Sequence, residues 1–324
     1  MIKSLPYKTK QFFFVLIKLS IVVVAFYFIY DKLTKNTSLR FSVFIDFLAR
    51  NDTFSIKNIL LLIILSFFNW FFEILKWQNL MAPLKKTTFK EALEQSLGAL
   101  TASLFTPNRI GEYGAKAMYY SSHLRKRVMG INLISNALQM AITCILGVIG
   151  FSLLITEYEI PINYFKLTKA FTFILIVVVL IGLGVKYKKV RTKRGSIQKL
   201  KDLLINYPKS KLGLGLLFSL IRYAIFSFQF YMLLRFFDVN ISYLIAMKVI
   251  TSMYLIASII PSIFIFDVVI KGSIAVYLFA FIGVDEITIL TIVTLMWLLN
   301  FVLPSVFGSY YVLKFKLPKQ TVKA

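Results

Sequence analysis

The chain has 324 residues, of which 58% are hydrophobic, and its mean hydropathy is +0.77. A soluble domain cannot bury this much apolar side chain, so the composition excludes a soluble globular protein. The formal net charge is +24, but the bases cluster at the ends of apolar runs. Bases in such positions orient membrane proteins and attract anionic lipid head groups, so nucleic-acid binding is not expected.

Metal, haem and disulfide chemistry have little support, because the chain has one cysteine and one histidine. Cys144 lies inside an apolar run, and His123 lies in a loop beside Arg125. The sequence also lacks an ATP-binding glycine loop and a nucleophile–histidine–carboxylate set. We therefore predict no metal, no cofactor and no enzyme. An integral membrane transferase is the least favoured alternative.

Taken in chain order, several apolar runs reach the length of about 20 residues that a bilayer-spanning helix needs. The predicted full spans, about six, are residues 11–30, 58–80, 129–156, 167–186, 212–237 and 287–313. The first run follows a basic start but has no small-residue cleavage pattern, so we interpret it as a retained span. The predicted fold class is all-α, a polytopic membrane helix bundle.

Two further apolar segments, 92–120 and 241–283, are interrupted near their middles by Pro107 and Pro261. A broken helix is tolerated in a membrane where its freed backbone groups are buried in protein or line a wet cavity. We therefore predict a re-entrant helical hairpin in each segment. If either segment spans twice instead, the placement of the chain termini is unchanged.

Loop charges place both termini on the same side of the membrane. The loop 186–211 carries ten Lys and Arg against one Asp. The N-terminus and the C-terminal tail are basic too, whereas the loops predicted on the opposite side carry acids and little excess base. This bias predicts cytoplasmic termini in a multi-pass protein of the bacterial inner membrane.

The order of span, broken segment and span occurs twice, and an odd number of spans separates the two occurrences. This arrangement predicts an inverted repeat, as in transporters whose site lies where the repeats meet. The predicted divisions are the first span with its external loop (1–57), repeat 1 (58–156), the connecting span with the basic cytoplasmic loop (157–211), repeat 2 (212–313) and the basic tail (314–324).

Each broken segment carries an acid and a base four residues apart, Glu112 with Lys116 and Asp267 with Lys271. On a helix such residues share a face. A charge at the centre of a bilayer helix costs about 2.5–3.5 kcal/mol on insertion scales, so these groups predict a polar chamber with a use. Structural locks between helices, or a lysine that reaches the interface, stay open as alternatives.

Other polar residues extend the candidate site. Arg109 comes just after a proline, where a helix begins, and an arginine there can bind phosphate bidentately. Gly111 leaves room for a head group or a neighbouring backbone. On the second span, Trp70 and Trp77 flank Asn69 and Glu73, either near a cavity or as interface anchors. The polar candidates within the long spans are Asn69, Glu73, Arg222 and a stripe of Asn132, Asn136 and Gln139.

The stretch TPNRIGEYGAKAMYY, residues 106–120, resembles the P-x-R-x-G-E signature of the lysylphosphatidylglycerol synthase transmembrane region family, also called flippase-like domain proteins. PSIFIFDVVIKGSIAVYLFAFIGV resembles the second signature of that family, without its glycines after the proline. The resemblance covers about residues 10–313. It implies these motif positions: Pro107, Arg109, Gly111, Glu112, Asp267, Lys271 and Gly272.

The resemblance implies movement of aminoacylated phospholipids or polyprenyl-linked lipids between leaflets. The expected function is a lipid translocase whose chamber binds an anionic, aminoacylated or polyprenyl-linked head group, its phosphate held by Arg109 with Lys271 or Lys116. The lysine-transferring domain of some members has no counterpart here, so synthase activity is not expected. The alternative is a non-transporting membrane partner that presents lipid to a separate transferase, docked on the loop 186–211.

Overall fold

A computed structural model describes residues 55–104, 106, 110–158, 206–259 and 267–317, with a few positions between 16 and 27. For residues 267–270 it describes the backbone alone. The predicted spans 11–30 (but for those few positions) and 167–186 lie outside the described residues. Most of the basic loop 186–211, both motif prolines and Arg109 lie outside them too.

The described residues form helices and no strand, as the all-α prediction requires. A π-helical segment, Leu298–Val302, joins the last two α-helices. The α-helices are α1 (Ile56–Met81), α2 (Phe89–Ser103), α3 (Gly111–Met118), α4 (Arg125–Glu157), α5 (Lys209–Phe236), α6 (Tyr243–Ile259), α7 (Asp267–Ala280), α8 (Glu286–Trp297) and α9 (Leu303–Lys314).

Four helical stretches are long and apolar enough to cross a membrane: α1, α4, α5 and the continuous stretch Glu286–Lys314. Each coincides with one of the predicted spans, and their exposed faces carry large apolar side chains such as Phe67, Leu153 and Phe307. Lipid is the solvent that such faces require. The chain is therefore a multi-pass membrane protein with a helical bundle.

Each proline-interrupted segment has a described helix on either side of its proline. In the first segment α2 ends at Ser103 and α3 begins at Gly111. Thr106 connects them, since its hydroxyl donates to the Ser103 carbonyl oxygen at 2.7 Å and accepts from the Gly111 amide at 3.0 Å. In the second segment α6 and α7 are separated by residues 260–266. Whether either pair is re-entrant stays a prediction.

Capping residues explain where two of these helices begin. Thr88 accepts from the Glu91 amide while the Glu91 carboxylate accepts from the Thr88 amide, so α2 starts with a capping box. Asp285 accepts from the Thr288 amide at 2.8 Å and starts α8. These side chains satisfy amides that have no partner within the helix.

Contacts between the two halves of the chain follow a repeated pattern. The leading spans α1 and α5 pack against each other, α2 packs against α9, and α6 packs against α4. In the predicted repeats, α1 corresponds to α5, α2 to α6, and α4 to the stretch α8–α9. When each helix is replaced by its counterpart, the α1–α5 contact maps onto itself and the α2–α9 contact maps onto the α6–α4 contact. The duplicated packing agrees with an internal repeat, and the inverted orientation of one half stays a prediction.

Candidate functional site

Five ionisable side chains meet inside the bundle: Glu73 and Lys76 on α1, Glu112 and Lys116 on α3, and Arg222 on α5. Both lysines are 1% exposed, and both glutamates are 8% exposed. Removing charges from water is costly unless they are paired and hydrogen-bonded, so their partners determine what this cluster can do.

Glu73 holds two bases at once. One carboxylate oxygen, Oε2, lies 2.5 Å from Arg222 Nη1 and 2.8 Å from Lys76 Nζ. The Arg222 guanidinium also donates through Nε to the backbone and side-chain oxygens of Asn69, at 3.1 and 3.2 Å. Its Nη1 donates to Gln139 Oε1 at 3.1 Å. Three helices, α1, α4 and α5, therefore position this guanidinium.

Lys116 is the centre of a second group. Its Nζ lies 2.8 Å from Glu112 Oε1 and 3.0 Å from Asn132 Oδ1, and it sits 4.1 Å from the centroid of the Trp77 ring. The Trp77 indole donates in turn to Gln95 Oε1 at 2.8 Å. An aromatic face over an ammonium adds a favourable electrostatic contact in a desolvated site.

The two groups adjoin, because the Lys116 ammonium lies over the ring of Trp77, the residue that follows Lys76 on α1. Three bases and two acids give this described set a net charge of +1. An excess of base inside an apolar bundle favours an anion. The arrangement can therefore bind an anionic group through an arginine and two lysines.

A chain of side-chain amides continues from the charges across the bundle. Asn69 Nδ2 donates to Asn300 Oδ1 at 2.8 Å, and Asn300 Nδ2 donates to Gln229 Oε1 at 2.8 Å. Gln229 Nε2 ends the chain on the Leu62 carbonyl oxygen at 3.0 Å. Asn69, Arg222 and Asn300 each lie halfway along their helical stretch, so the charges connect to the amides at the middle of three candidate spans.

The π segment contributes backbone acceptors to the same region. Ser66 Oγ donates to the Leu299 carbonyl oxygen at 2.5 Å, and Trp70 Nε1 donates to the Asn300 carbonyl oxygen at 3.0 Å. A π turn changes the helical hydrogen-bond register and is frequent at functional sites. Here it lets α1 side chains bind the backbone of the last span.

The structure brings together five of the predicted site residues, Asn69, Glu73, Glu112, Lys116 and Arg222. Lys271 lies beside the π segment, with its Nζ 5.8 Å from the Phe301 ring centroid. Arg109 and the side chain of Asp267 lie outside the described residues.

The two predicted glycines lie against neighbouring side chains. A Cβ at Gly111 would lie 2.8 Å from Thr106 Cγ2, so this glycine permits the tight connection into α3. A Cβ at Gly272 would lie 3.1 Å from Leu290 Cδ2, which places Gly272 against α8.

Sequence reasoning missed Lys76 as a site residue, although its spacing of three from Glu73 would have placed the two on one helix face. For Trp70 and Trp77 the sequence allowed two interpretations, residues near a cavity or anchors at the membrane interface. Both indoles are buried and hydrogen-bonded within the bundle, and Trp77 is 0% exposed. The anchor interpretation is therefore wrong, and the isolated position of two tryptophans beside Glu73 was the available signal.

Comparison with protein families matches residues 14–308 to the model described as the lysylphosphatidylglycerol synthase TM region. The matched range includes all five charges of the buried cluster. Comparisons with curated proteins and with solved structures found no match.

Proposed function

Because the chain belongs to the family of the lysylphosphatidylglycerol synthase TM region, we propose that it is a lipid translocase of the flippase-like kind. Its substrate is a lipid with an anionic phosphate head group, of the aminoacylated-phospholipid or polyprenyl-linked classes. The membrane is the bacterial inner membrane, with both termini cytoplasmic. The protein acts on the lipid by binding and moving it, without covalent chemistry.

One observation carries the proposal: a buried cluster of three bases and two acids reaches from α3 to the middle of α5. Replacing a buried ion pair by apolar residues is often neutral or stabilising, so stability alone is a poor reason to keep such a cluster. Ionisable residues inside a membrane bundle mark transport paths by default.

The acids have a defined part in this mechanism. With no head group present, Glu73 and Glu112 neutralise the bases and keep them oriented. An arriving phosphate offers oxygens that a guanidinium binds bidentately and an ammonium binds as a point charge. The phosphate replaces the carboxylates as the partner of Arg222 and the lysines, and rocking of one half against the other moves the bound group.

A translocation assay on proteoliposomes tests the proposal. Head-group-labelled phospholipids are placed in one leaflet, and their appearance in the other is followed with a membrane-impermeant quencher. We expect Arg222→Ala to reduce the protein-dependent rate at least tenfold, because a charge-assisted hydrogen-bonding group is lost. Arg235→Ala is the matched control, since Arg235 is exposed on the same helix and contacts Asn240. Wild-type rates in Arg222→Ala would contradict the proposal.

The second candidate function is a membrane partner that presents lipid to a separate transferase, and it is also consistent with the family match. This candidate predicts that a transferase co-purifies with the chain and is lost when the bases of 186–211 are neutralised. It further predicts lipid binding without translocation by the pure protein. The same proteoliposomes therefore decide between the two functions.

A further inference from the structure

The inner face of α4 carries a stripe of polar side chains, Asn132, Ser135, Asn136 and Gln139, which share one helix face by their spacing. Asn132 Oδ1 accepts from Lys116 on α3, and Asn136 Nδ2 donates to Tyr113 OH on α3 at 3.0 Å. Gln139 Oε1 accepts from Arg222 on α5. The stripe therefore has a base at each end.

Two donors on this stripe have no hydrogen-bond partner among the described residues: Asn132 Nδ2 and Ser135 Oγ. Both residues are 0% exposed. A buried donor left without a partner costs about 1–3 kcal/mol, and most such groups in native proteins are satisfied. Each of these two groups can donate a hydrogen to an anionic oxygen. The other two amides of the stripe already donate, Asn136 Nδ2 to Tyr113 OH and Gln139 Nε2 to the Ser219 carbonyl oxygen.

The spacing along the helix sets the length of the stripe between the residues that contact the two bases. Seven residues separate Asn132 from Gln139, which is about 10 Å along an α-helix. Helix α1 contacts both ends, since Glu73 binds Arg222 and the Trp77 ring lies under the Lys116 ammonium. An anion on this face of α4 therefore meets two unpartnered donors, Asn132 Nδ2 and Ser135 Oγ, and each end offers a base whose acid partner it can replace.

We propose that the inner stripe of α4 is the path of a phosphate group. The phosphate first binds Lys116 and Asn132, close to the basic start of α4, and then passes Ser135 to reach Arg222 at the middle of α5. This inference rests on the proposed function and extends it by assigning Asn132 and Ser135 as phosphate ligands. The ligand is a phosphate monoanion, supplied by a lipid head group or by free phosphate.

Equilibrium binding to the purified full chain tests this path, with tryptophan fluorescence as the readout because Trp77 lies beside Lys116. The probes are a short-chain phosphatidylglycerol, inorganic phosphate, and the matching short-chain diacylglycerol, which lacks phosphate. Asn132→Asp keeps the oxygen that accepts from Lys116, replaces the unpartnered amino group with a second oxygen, and adds a negative charge that itself opposes an anion. Ser135→Ala removes the other donor, and Ser152→Ala is the same change on the exposed face of α4.

We expect Asn132→Asp and Ser135→Ala each to weaken phosphatidylglycerol binding about tenfold, because each loses a hydrogen bond to a charged group. Ser152→Ala should bind as wild type does, and diacylglycerol should give no saturable signal. Thermal unfolding of each variant verifies that it is folded.

Unchanged phosphatidylglycerol affinity in both folded variants would overturn the path while leaving the proposed translocation intact. Binding of inorganic phosphate alone, weakened by the same two changes, would support the phosphate site and contradict a lipid substrate. Absence of saturable binding by either phosphate probe would overturn the inference.

Discussion

Glu73 is the acid on which one buried base, Lys76, and one half-buried base, Arg222, depend. It contacts Arg222 and Lys76 through one carboxylate oxygen, and Lys76 is 1% exposed. Removing one partner of a buried pair leaves an uncompensated charge, whereas the pair itself contributes little net stability. The consequences of substitution at Glu73 and at Lys76 should therefore differ, although the residues are one helical turn apart.

Glu73→Gln is expected to lower the free energy of unfolding by about 3–5 kcal/mol, because Lys76 and Arg222 lose their shared carboxylate. Lys76→Met should cost less, since the pair of Glu73 with Arg222 remains and methionine fills a similar volume. Unfolding in detergent, followed by circular dichroism, measures both. Glu286→Gln, at an exposed first turn, is the control and should stay within about 1 kcal/mol. A larger loss in Lys76→Met than in Glu73→Gln would contradict the charge assignment.

Two of the close helix pairs between the halves, α2 with α9 and α4 with α6, depend on glycines at their contacts. A Cβ at Gly308 on α9 would lie 2.2 Å from the Leu97 carbonyl oxygen on α2. A Cβ at Gly150 on α4 would lie 1.8 Å from Thr251 Oγ1 on α6. Small residues allow membrane helices to approach closely. Here they lie at the α2–α9 and α4–α6 contacts, which correspond to each other in the predicted repeats.

Gly308→Ala should destabilise the bundle by about 1–3 kcal/mol, because backbone atoms of α2 must move to admit the methyl group. Gly213→Ala is the matched control on α5, where a Cβ meets nothing within 4 Å. That change should be neutral or stabilising by about 0.5–1 kcal/mol, as in other helix interiors. Thermal unfolding of the two purified variants compares them. Equal midpoints would mean that α2 and α9 are not held as closely as described.

At the scale of the helices, the sequence predicted the features that depend on a single helix, namely its length, its apolarity and its breaks. Run length and apolarity predicted the four described spans, and Pro107 predicted the break between α2 and α3. The break predicted at Pro261 lies outside the described residues. Partners that come from distant helices were not predictable. Asn69 meets Asn300 across 231 positions of sequence, and Arg222 meets Glu73 across 149.

At the scale of the whole molecule, the loop charges predict that the turn before α4 faces the cytoplasm and the turn before α6 faces outward. Cysteine labelling in a Cys144→Ser background tests this orientation, with Ser122→Cys and Asn240→Cys at exposed positions. We expect a membrane-impermeant maleimide to label Asn240→Cys on intact cells. Ser122→Cys should react only after permeabilisation. The reverse pattern would place the termini outside.

The most direct measurement is mass spectrometry of the lipids that stay bound to the gently purified protein, with wild type compared to Arg222→Ala and to the control Arg235→Ala. The account predicts a specific phosphate-bearing lipid on wild type and on Arg235→Ala, and its loss from Arg222→Ala. The lipid itself would identify the substrate. Equal and unselective lipid on all three proteins would contradict a head-group site and would leave the buried charges as structural locks between helices.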